Sequence, residues 1–307
     1  MDVSTRGLAR PAARGLAAFG RRAGVLVRAH EGTLVVAAGS LLLVLISMLH
    51  EPAVPWLTWD SRVYWETSLA PDLYANARVG ALGAYLYSPA FAQLLAPAGL
   101  LPWPLFLFGW TFVSIRVAAW LCAGPVRRHH ALWLPLATLA ILDIGAGNVN
   151  VLLGGAIVLA FRWSGAWSAV ALTKVTPGMA LAWYLVRREW RPLLGALAVT
   201  ALVVGISAVF EASAWVDWGT VLLSNATPHD LSGDLAIPAA VRFPLGLALV
   251  AWGGVTDRRW VLPIAAILFL PVIWPNTLAL LLASAALWAD PNVADRDARR
   301  TTEGVRP

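Results

Sequence analysis

The chain has 307 residues, of which 59% are hydrophobic and only 13% are charged, and its mean hydropathy is +0.69. This composition excludes an ordinary soluble domain and predicts an all-α, polytopic integral membrane protein. The formal charge is +6, but the arginines stand at the ends of apolar runs, which argues against binding to nucleic acid. Because Cys122 is the single cysteine, a disulfide framework and a cysteine metal site are excluded as well.

The N-terminal residues 1–32 are rich in arginine and extend beyond the usual length of a signal-peptide basic region. No small-residue cleavage pattern follows the apolar run that ends at Met48, so residues 33–49 are predicted to be an uncleaved first span. Because arginine collects on the cytoplasmic side of membranes, residues 1–32 are placed in the cytoplasm. The loop after the first span is then extracytoplasmic.

This first outer loop, residues 50–102, contains the charged and aromatic stretch TWDSRVYWE. Within it, Asp60 is flanked by bulky aromatic residues, and an acid in such surroundings suits a general base when a nearby cation keeps it ionised. A solvated loop acid is the alternative interpretation. Further along the loop, the run LYSPAFAQLLAPAGLL is short and broken by Pro89 and Pro97, so it is predicted to be an interfacial or re-entrant helix.

About ten transmembrane helices are predicted in all, because a span needs roughly 20 apolar residues and about 17 as a minimum. After the first, they cover residues 103–123, 131–146, 149–162, the two halves of 165–186, 192–211, 236–253, 260–273 and 276–289. The stretch 165–186 is split at TKVTP because Pro177 disfavours a continuous helix, and the split keeps the basic turn RREWR in the cytoplasm. Residues 33–289 thus form the transmembrane domain, and residues 290–307 are predicted to be a disordered cytoplasmic tail.

Lys174 is the single lysine of the chain, and the predicted topology places it on the same outer side as Asp60. A lysine next to apolar helices is costly unless it snorkels to the interface or meets an anion. Both interpretations stay open. In the second, the ammonium group holds a phosphate or a carboxylate.

The stretch GNVN, residues 147–150, predicts a helix break in which asparagine side chains cap the following helix. The same amides could hydrogen-bond sugar hydroxyls. Most of the 17 tryptophans fit an interfacial belt, although Trp56, Trp59 and Trp65 could form a wall for sugar stacking. The sequence has no Walker A, HExxH or GxSxG motif, so ATP hydrolysis, zinc peptidase and serine hydrolase activities lack support.

The order of these motifs resembles that of the integral-membrane GT-C glycosyltransferases, and specifically of glycosyltransferase family 87, the actinobacterial polyprenol-phosphate-mannose-dependent mannosyltransferases. The matching motifs are WDSRVYWE with Asp60, YSPAF with Tyr87 and Pro89, GNVN with Asn150, TKVTP with Lys174 and Pro177, and RREWR. The resemblance covers residues 30–210. This chain differs from the family pattern in having Ser88 where a second proline is usual and Asn148 where a glutamine is usual.

The resemblance implies a membrane enzyme that transfers a sugar, expected to be mannose, from a polyprenyl-phosphate donor to a hydroxyl of a glycolipid or polysaccharide, with inversion at the anomeric carbon. The site would lie among membrane lipids at the extracytoplasmic face of the plasma membrane, with both chain termini in the cytoplasm. No cofactor is implied. The outer acids lack a recognisable metal-ligand spacing, so dependence on a divalent metal stays open.

The resemblance also implies roles for individual residues. Asp60 would be the general base, and Lys174 would lie by the donor phosphate. Beyond the resemblance, Arg62 is expected to assist at that phosphate. Contacts with the substrates are expected from six further residues, namely Tyr64, Glu66, Tyr87, Asn148, Asn150 and His229.

Two functions of other classes stay open. A transporter or flippase of lipid-linked sugars would use Lys174 as a headgroup site and would form no glycosidic bond. A catalytically inactive membrane partner derived from the same fold would bind the donor without turnover. The chain is shorter than typical members of the family, which fits either a small enzyme or such a partner.

Overall fold

The computed structural model describes residues 36–49, 57–70, 72–75, 77–79, 83–225 and 237–289. Within these ranges the chain is helical and has no β-strand, which confirms the predicted all-α fold class. The basic segment 1–32, the tail 290–307 and the predicted substrate residue His229 lie outside the described residues.

Thirteen α-helices are found in the described ranges. They are α1 (Val36–Leu49), α2 (Trp59–Thr67), α3 (Pro89–Gly99), α4 (Trp103–Arg128), α5 (Trp133–Ala146), α6 (Asn150–Ala160), α7 (Trp167–Thr173), α8 (Ala182–Val186), α9 (Trp190–Phe210), α10 (Ala212–Ser224), α11 (Ala239–Thr256), α12 (Val261–Leu268) and α13 (Leu281–Trp288). Short 3₁₀ helices precede α5, α7, α8 and α13 directly, at His130–Leu132, Ser164–Ala166, Thr176–Leu181 and Pro275–Leu280.

Three of these helices are long and apolar enough to cross a membrane, namely α4 with 26 residues, α9 with 21 and α11 with 18. At a rise of about 1.5 Å per residue, α4 is roughly 39 Å long and exceeds the hydrocarbon core of a bilayer. The helices α5 and α6 form a pair bent by 120°, and together they count as a fourth span or as a re-entrant loop. The described structure thus gives three or four long spans, and the predicted number of about ten is not confirmed.

The difference arises at helices that are apolar but short. The predicted separate spans at 131–146 and 149–162 correspond to the bent pair, in which α6 has only 11 residues, or roughly 16 Å. The predicted halves of 165–186 contain α-helices of seven and five residues, α7 and α8. Composition alone cannot separate such segments from spans, because both consist of apolar residues.

The predicted break at GNVN is present, and Gly147 is the residue that makes it. Gly147 adopts a left-handed backbone conformation with φ 71°, which ends α5. A Cβ at this position would collide with the side chain of Ser61 and would lie 3.0 Å from the backbone nitrogen of Ser61. Glycine is therefore required at this position both for its conformation and for the close approach of α2.

The N-terminus of α6 is capped differently from the prediction. Asn148 accepts the N–H of Val149, just before the helix, at 2.7 Å. Within the first turn, however, the N–H of Val151 is bound by the carboxylate of Asp143 at 2.8 Å. The side chain of Asn150 does not cap the helix, because it is engaged with other side chains described below.

The predicted break at TKVTP is also present. Helix α7 ends at Thr173, and Lys174 has an extended conformation with φ −133° and ψ 104°. The 3₁₀ helix that follows begins at Thr176 with Pro177 in its first turn. Lys174 therefore belongs to neither helix. Its side chain points away from the side chains of both helices, and the break sets that direction.

Helix α3 has 11 residues, starts with Pro89 and contains Pro97. It is too short to span a membrane, in agreement with the prediction of an interfacial or re-entrant helix. The N–H of Ser88, just before α3, donates to the carbonyl of Leu172 near the end of α7 at 3.2 Å. This bond links the YSPAF element to the break that carries Lys174.

Helix α2 begins on the bend between α5 and α6. The N–H of Thr58 donates to the carbonyl of Gly145 at 2.6 Å, and the hydroxyl of Thr58 is hydrogen-bonded to that of Ser47 in α1 at 3.0 Å. From α4, the indole N–H of Trp110 donates to the carbonyl of Gly147 at 2.9 Å. Helices α2 and α4 therefore bind the bend directly and α1 binds the start of α2, and these contacts position Asp60 in the first turn of α2.

We expect Gly147→Ala to destabilise the protein by about 2 kcal/mol or more, because alanine disfavours a left-handed backbone and its Cβ would push against Ser61. The measurement is the unfolding midpoint of the purified protein in detergent. Gly109→Ala in α4 is the matched control, since a methyl group added there would meet no atom within 4 Å. That control should change stability by about 1 kcal/mol or less, in the stabilising direction. Equal effects of the two substitutions would contradict the role given to Gly147.

Candidate active site

Five polar side chains form one hydrogen-bonded chain at the two helix breaks, and we call them the polar cluster: Asp60, Asn148, Lys174, Asn150 and Asp143. At one end, Asn148 Nδ2 donates to Asp60 Oδ2 at 2.7 Å. In the middle, Lys174 Nζ donates to Asn150 Oδ1 at 2.6 Å and to Asn148 Oδ1 at 3.5 Å. At the other end, Asn150 Nδ2 donates to Asp143 Oδ1 at 2.8 Å.

Each member of the polar cluster is supplied by a break or a helix end. Asp60 lies in the first turn of α2, which rests on the bend at Gly147. The two asparagines flank the start of α6, and Lys174 follows the end of α7, which packs against α6. Its hydrogen bond between Asp60 and Asn148 joins residues 88 positions apart in the sequence.

The polar cluster holds two carboxyl groups and one ammonium group. Asp143 and Asn150 are completely buried, Asn148 is 8% exposed, and the side chains of Asp60 and Lys174 are partly buried. A buried charge is costly unless it is paired and hydrogen-bonded, so the shared lysine and the two amides are what make this arrangement tolerable.

Asp60 has the properties of a proton acceptor. Desolvation by the surrounding protein raises its pKa, whereas the hydrogen bond from Asn148 and the positive charge of Lys174 lower it, and the net shift of the pKa is upward. A raised pKa makes the ionised carboxylate a stronger base than an ordinary surface aspartate, while Asn148 and Lys174 help to keep it ionised.

Lys174 directs its ammonium group into the polar cluster. Its nitrogen lies on the amide oxygens of Asn150 and Asn148, and an ammonium group has three N–H donors. The bond to Asn150 is short and that to Asn148 is long, so Asn150 is the stronger partner. The group can therefore bind an additional acceptor, such as a phosphate oxygen, while it keeps its bond to Asn150.

Tyr64 and Tyr87, both predicted to contact substrate, form a buried pair. Their hydroxyl groups are hydrogen-bonded at 2.7 Å, and their rings meet edge to face with centroids 5.1 Å apart. Phe91 and Trp110 also pack edge-on against Tyr64. Burial raises the pKa of both phenols well above its usual value, and the nearby charge of Asp60 raises it further, so both remain neutral. The structure thus gives this pair a packing position beside Asp60.

Arg62 and Glu66 are not brought into the polar cluster. Residues two positions apart on a helix point about 200° away from each other, so Arg62 and Asp60 lie on nearly opposite sides of α2. Arg62 instead donates to Glu66 at 2.6 Å, and its guanidinium lies over the rings of Trp65 and Trp103, 5.0 and 4.9 Å from their centroids.

The position of Arg62 also bears on the predicted sugar-stacking wall of Trp56, Trp59 and Trp65. Arg62 covers a face of the Trp65 ring, which leaves that face closed to a sugar. Trp59 packs partly buried against the hydrophobic core. Trp56 lies outside the described residues.

Asp143 is the residue of the cluster that the sequence interpretation missed. It lies inside the apolar run TLAILDIGAG, which the predicted topology assigns to a span. The sequence did contain a signal for Asp143, since burying an acid in an apolar helix costs free energy and such an acid has a functional or structural role as a rule. Its position four residues before Gly147 places it directly under the bend.

Two further observations concern a possible metal site and a cavity. Across the described ranges, no three histidine, cysteine or acidic residues gather as a potential metal site. A cavity of about 480 Å³ is lined by His129, Ala131, Leu132, Ser284, Ala285 and Trp288, and it shares no residue with the cluster.

Fold and site together define the class of the protein: an all-helical membrane protein that carries acid, amide and ammonium groups at two helix breaks. More narrowly, the chain belongs to glycosyltransferase family 87, since the model of that family matches residues 85–298. It is therefore a membrane glycosyltransferase. No curated protein and no solved structure matches the chain.

The family match does not cover the whole polar cluster. It contains Asp143, Asn148, Asn150 and Lys174, but it begins at residue 85 and so leaves out Asp60. The resemblance noted in the sequence starts earlier and ends earlier than this match. The place of Asp60 in the site therefore rests on its hydrogen bond to Asn148 rather than on the family match.

We expect Tyr64→Phe or Tyr87→Phe alone to cost about 1–3 kcal/mol of stability, because each leaves one buried hydroxyl without its partner. The double substitution removes both hydroxyls and should cost less than the sum of the two single changes. Chemical unfolding in detergent gives the three values of this double-mutant cycle. Strictly additive losses would show that the two hydroxyl groups do not interact.

Proposed function

We propose that the protein transfers a sugar from a polyprenyl-phosphate donor to a hydroxyl of a glycolipid or polysaccharide, with Asp60 as general base and Lys174 at the donor phosphate. The observation that carries this proposal is that one hydrogen-bonded cluster holds a carboxylate of raised pKa and an ammonium group, joined through Asn148. These are the two charges that glycosyl transfer requires.

In the proposed reaction, Asp60 accepts the proton of the acceptor hydroxyl while the acceptor oxygen attacks the anomeric carbon. The bond between that carbon and the phosphate oxygen breaks, and polyprenyl phosphate leaves with the electron pair. Lys174 stabilises the negative charge that develops on the departing phosphate. Because the nucleophile enters opposite to the leaving group in a single displacement, the configuration at the anomeric carbon is inverted.

A lipid-linked donor fits the rest of the chain. Polyprenyl phosphate is itself the leaving group and anchors itself in the bilayer, so the enzyme needs no nucleotide-binding loop, and the sequence has no Walker A motif. In this proposal Lys174 supplies the positive charge at the phosphate, and no cofactor takes part. Mannose as the donor sugar is proposed from the family resemblance.

The distribution of arginine supports an extracytoplasmic site in the plasma membrane. Arginines are concentrated in the segments assigned to the cytoplasm, which puts Asp60 and Lys174 on the opposite side, with the N- and C-termini inside. In the proposed site, Asn148 orients Asp60 through the hydrogen bond from its amide.

We expect Asp60→Asn to lower transfer by about 10²–10⁴-fold, because asparagine cannot accept the proton. The assay uses purified protein in lipid vesicles, radiolabelled polyprenyl-phosphate-mannose and a membrane glycolipid extract. Asp72→Asn is the matched control, since Asp72 is an exposed acid whose carboxylate accepts the N–H of Tyr74. Full activity of Asp60→Asn would contradict the assigned base. Reorientation of the lipid across the bilayer without a glycosidic product would favour a transporter.

The pH dependence of transfer provides a second test. Only the ionised carboxylate of Asp60 accepts a proton, so kcat/KM should fall as the pH drops through its pKa, above the range of an ordinary aspartate. Asn148→Ala removes a hydrogen bond to the ionised form, which raises the pKa of Asp60 further and moves this acidic limb to higher pH. The control Asp72→Asn should leave the pH of this acidic limb of kcat/KM unchanged. A limb that stays fixed, or moves to lower pH, in Asn148→Ala would contradict the coupling of these two residues.

A further inference from the structure

We infer that Asp143 is a positioning residue of the glycosyl-transfer site: it fixes the orientation of the Asn150 amide and thereby holds the Lys174 ammonium in the polar cluster. The inference rests on the proposed function only where it concerns the donor phosphate. The hydrogen bonds that it invokes are independent of the reaction.

Both carboxylate oxygens of Asp143 are engaged by the start of α6. Its Oδ1 accepts Asn150 Nδ2 at 2.8 Å, and its Oδ2 accepts the N–H of Val151 at 2.8 Å. The residue is completely buried in α5. Because its oxygens are occupied and enclosed, Asp143 does not contact a substrate directly and acts through the residues that it holds and through its charge, which attracts Lys174.

The chemistry of the groups determines which way the Asn150 amide faces. A carboxylate can only accept hydrogen bonds, so Asn150 must turn its NH₂ group toward Asp143. An ammonium group can only donate, so the carbonyl oxygen of the same amide must face Lys174, at 2.6 Å. One orientation of Asn150 satisfies both neighbours, and the reverse orientation satisfies neither.

On the other side of Lys174, the amide of Asn148 is oriented in the same way, but its hydrogen bond to the ammonium group is longer. Asn148 turns its NH₂ group to Asp60 and its oxygen to Lys174, but that second contact is 3.5 Å long. The ammonium group is therefore held by the arm through Asn150 and Asp143. The long contact on the side of Asp60 is the one that a phosphate oxygen can replace without release of Lys174 from its anchor.

We expect Asp143→Asn to disturb this arrangement while it keeps the helix cap. Its amide oxygen can still accept the N–H of Val151, but its NH₂ group then faces the NH₂ group of Asn150. If Asn150 turns over, its NH₂ group faces the ammonium of Lys174. We therefore expect kcat/KM for the donor to fall by about tenfold or more, mainly through KM, as for a buried polar group left unpaired.

The reciprocal exchange Asp143→Asn with Asn150→Asp is the decisive variant. In it, residue 150 accepts from Lys174 and from the new amide at 143, and that amide accepts the N–H of Val151. The exchange keeps all three hydrogen bonds and the net charge. Only the bond between residues 143 and 150 changes, because residue 143 now donates and residue 150 accepts. The exchange should recover most of the lost kcat/KM, whereas Asn150→Asp alone places two carboxylates side by side and should be impaired. A double-mutant cycle of the four proteins measures this coupling.

A readout independent of glycosyl transfer uses the fact that Lys174 is the only lysine in the chain. Its rate of acetylation by a water-soluble amine reagent, followed by peptide mass spectrometry, reports how firmly the ammonium is held. We expect this rate to rise severalfold in Asp143→Asn and to return to the wild-type value in the exchange. An unchanged rate and unchanged donor KM in Asp143→Asn would overturn the inference.

The outcomes separate this inference from the proposed function. If the wild type transfers no sugar while the acetylation rates follow the expected pattern, the proposed reaction fails and the role of Asp143 stands. If Asp143→Asn does not fold, the exchange is compared with Asn150→Asp, because both place a carboxylate on Lys174: a donor KM restored only in the exchange supports the inference, and equal KM values overturn it.

Discussion

The contact of α2 with the bend at Gly147 is the interaction on which the rest of the site depends. The left-handed backbone of Gly147 turns the chain between α5 and α6 and leaves room for Ser61 to lie against it. Because α2 rests on this bend, Asp60 meets Asn148. Because α6 starts on its far side, Asn150 meets Asp143 and Lys174. A carboxylate and an ammonium group are thus brought together around a position at which only glycine fits.

The sequence was informative about the helix breaks and uninformative about the number of spans. Glycine and proline restrict the backbone in known ways, so the breaks at Gly147 and before Pro177 could be predicted from residue type. The number of spans does not follow from the apolar segments alone, since a buried helix such as α6, with 11 residues, is as apolar as a segment that crosses the bilayer. Only its packing inside the fold distinguishes the two.

Four of the five polar residues of the site were predictable, but their grouping was not. Asp60, Asn148, Asn150 and Lys174 stood out by type, but nothing in the sequence shows that α2 binds the bend through the backbone of Thr58 and Gly145. Arg62 was expected at the donor phosphate together with Lys174, and the rotation of α2 instead turns it away from Asp60. Asp143 was overlooked because one acid in a long apolar run was treated as part of the run, whereas its burial makes it the most constrained charge of the cluster.

The order of the polar cluster along the chain has a consequence for biosynthesis. Asp143 and Asn150 are translated before Lys174, so the nascent chain presents a buried acid to the membrane before its cation exists. An acid in an inserting apolar helix costs free energy, about 2.5–3.5 kcal/mol on translocon scales when it lies at the helix centre, and Asp143 lies in the last turn of α5. Because α5 and α6 are bent at Gly147, we expect this early segment to remain near the translocon or the interface until the lysine is synthesised. We therefore expect this segment to insert fully only after Lys174 has been synthesised, because the lysine supplies the positive charge that the buried acid lacks.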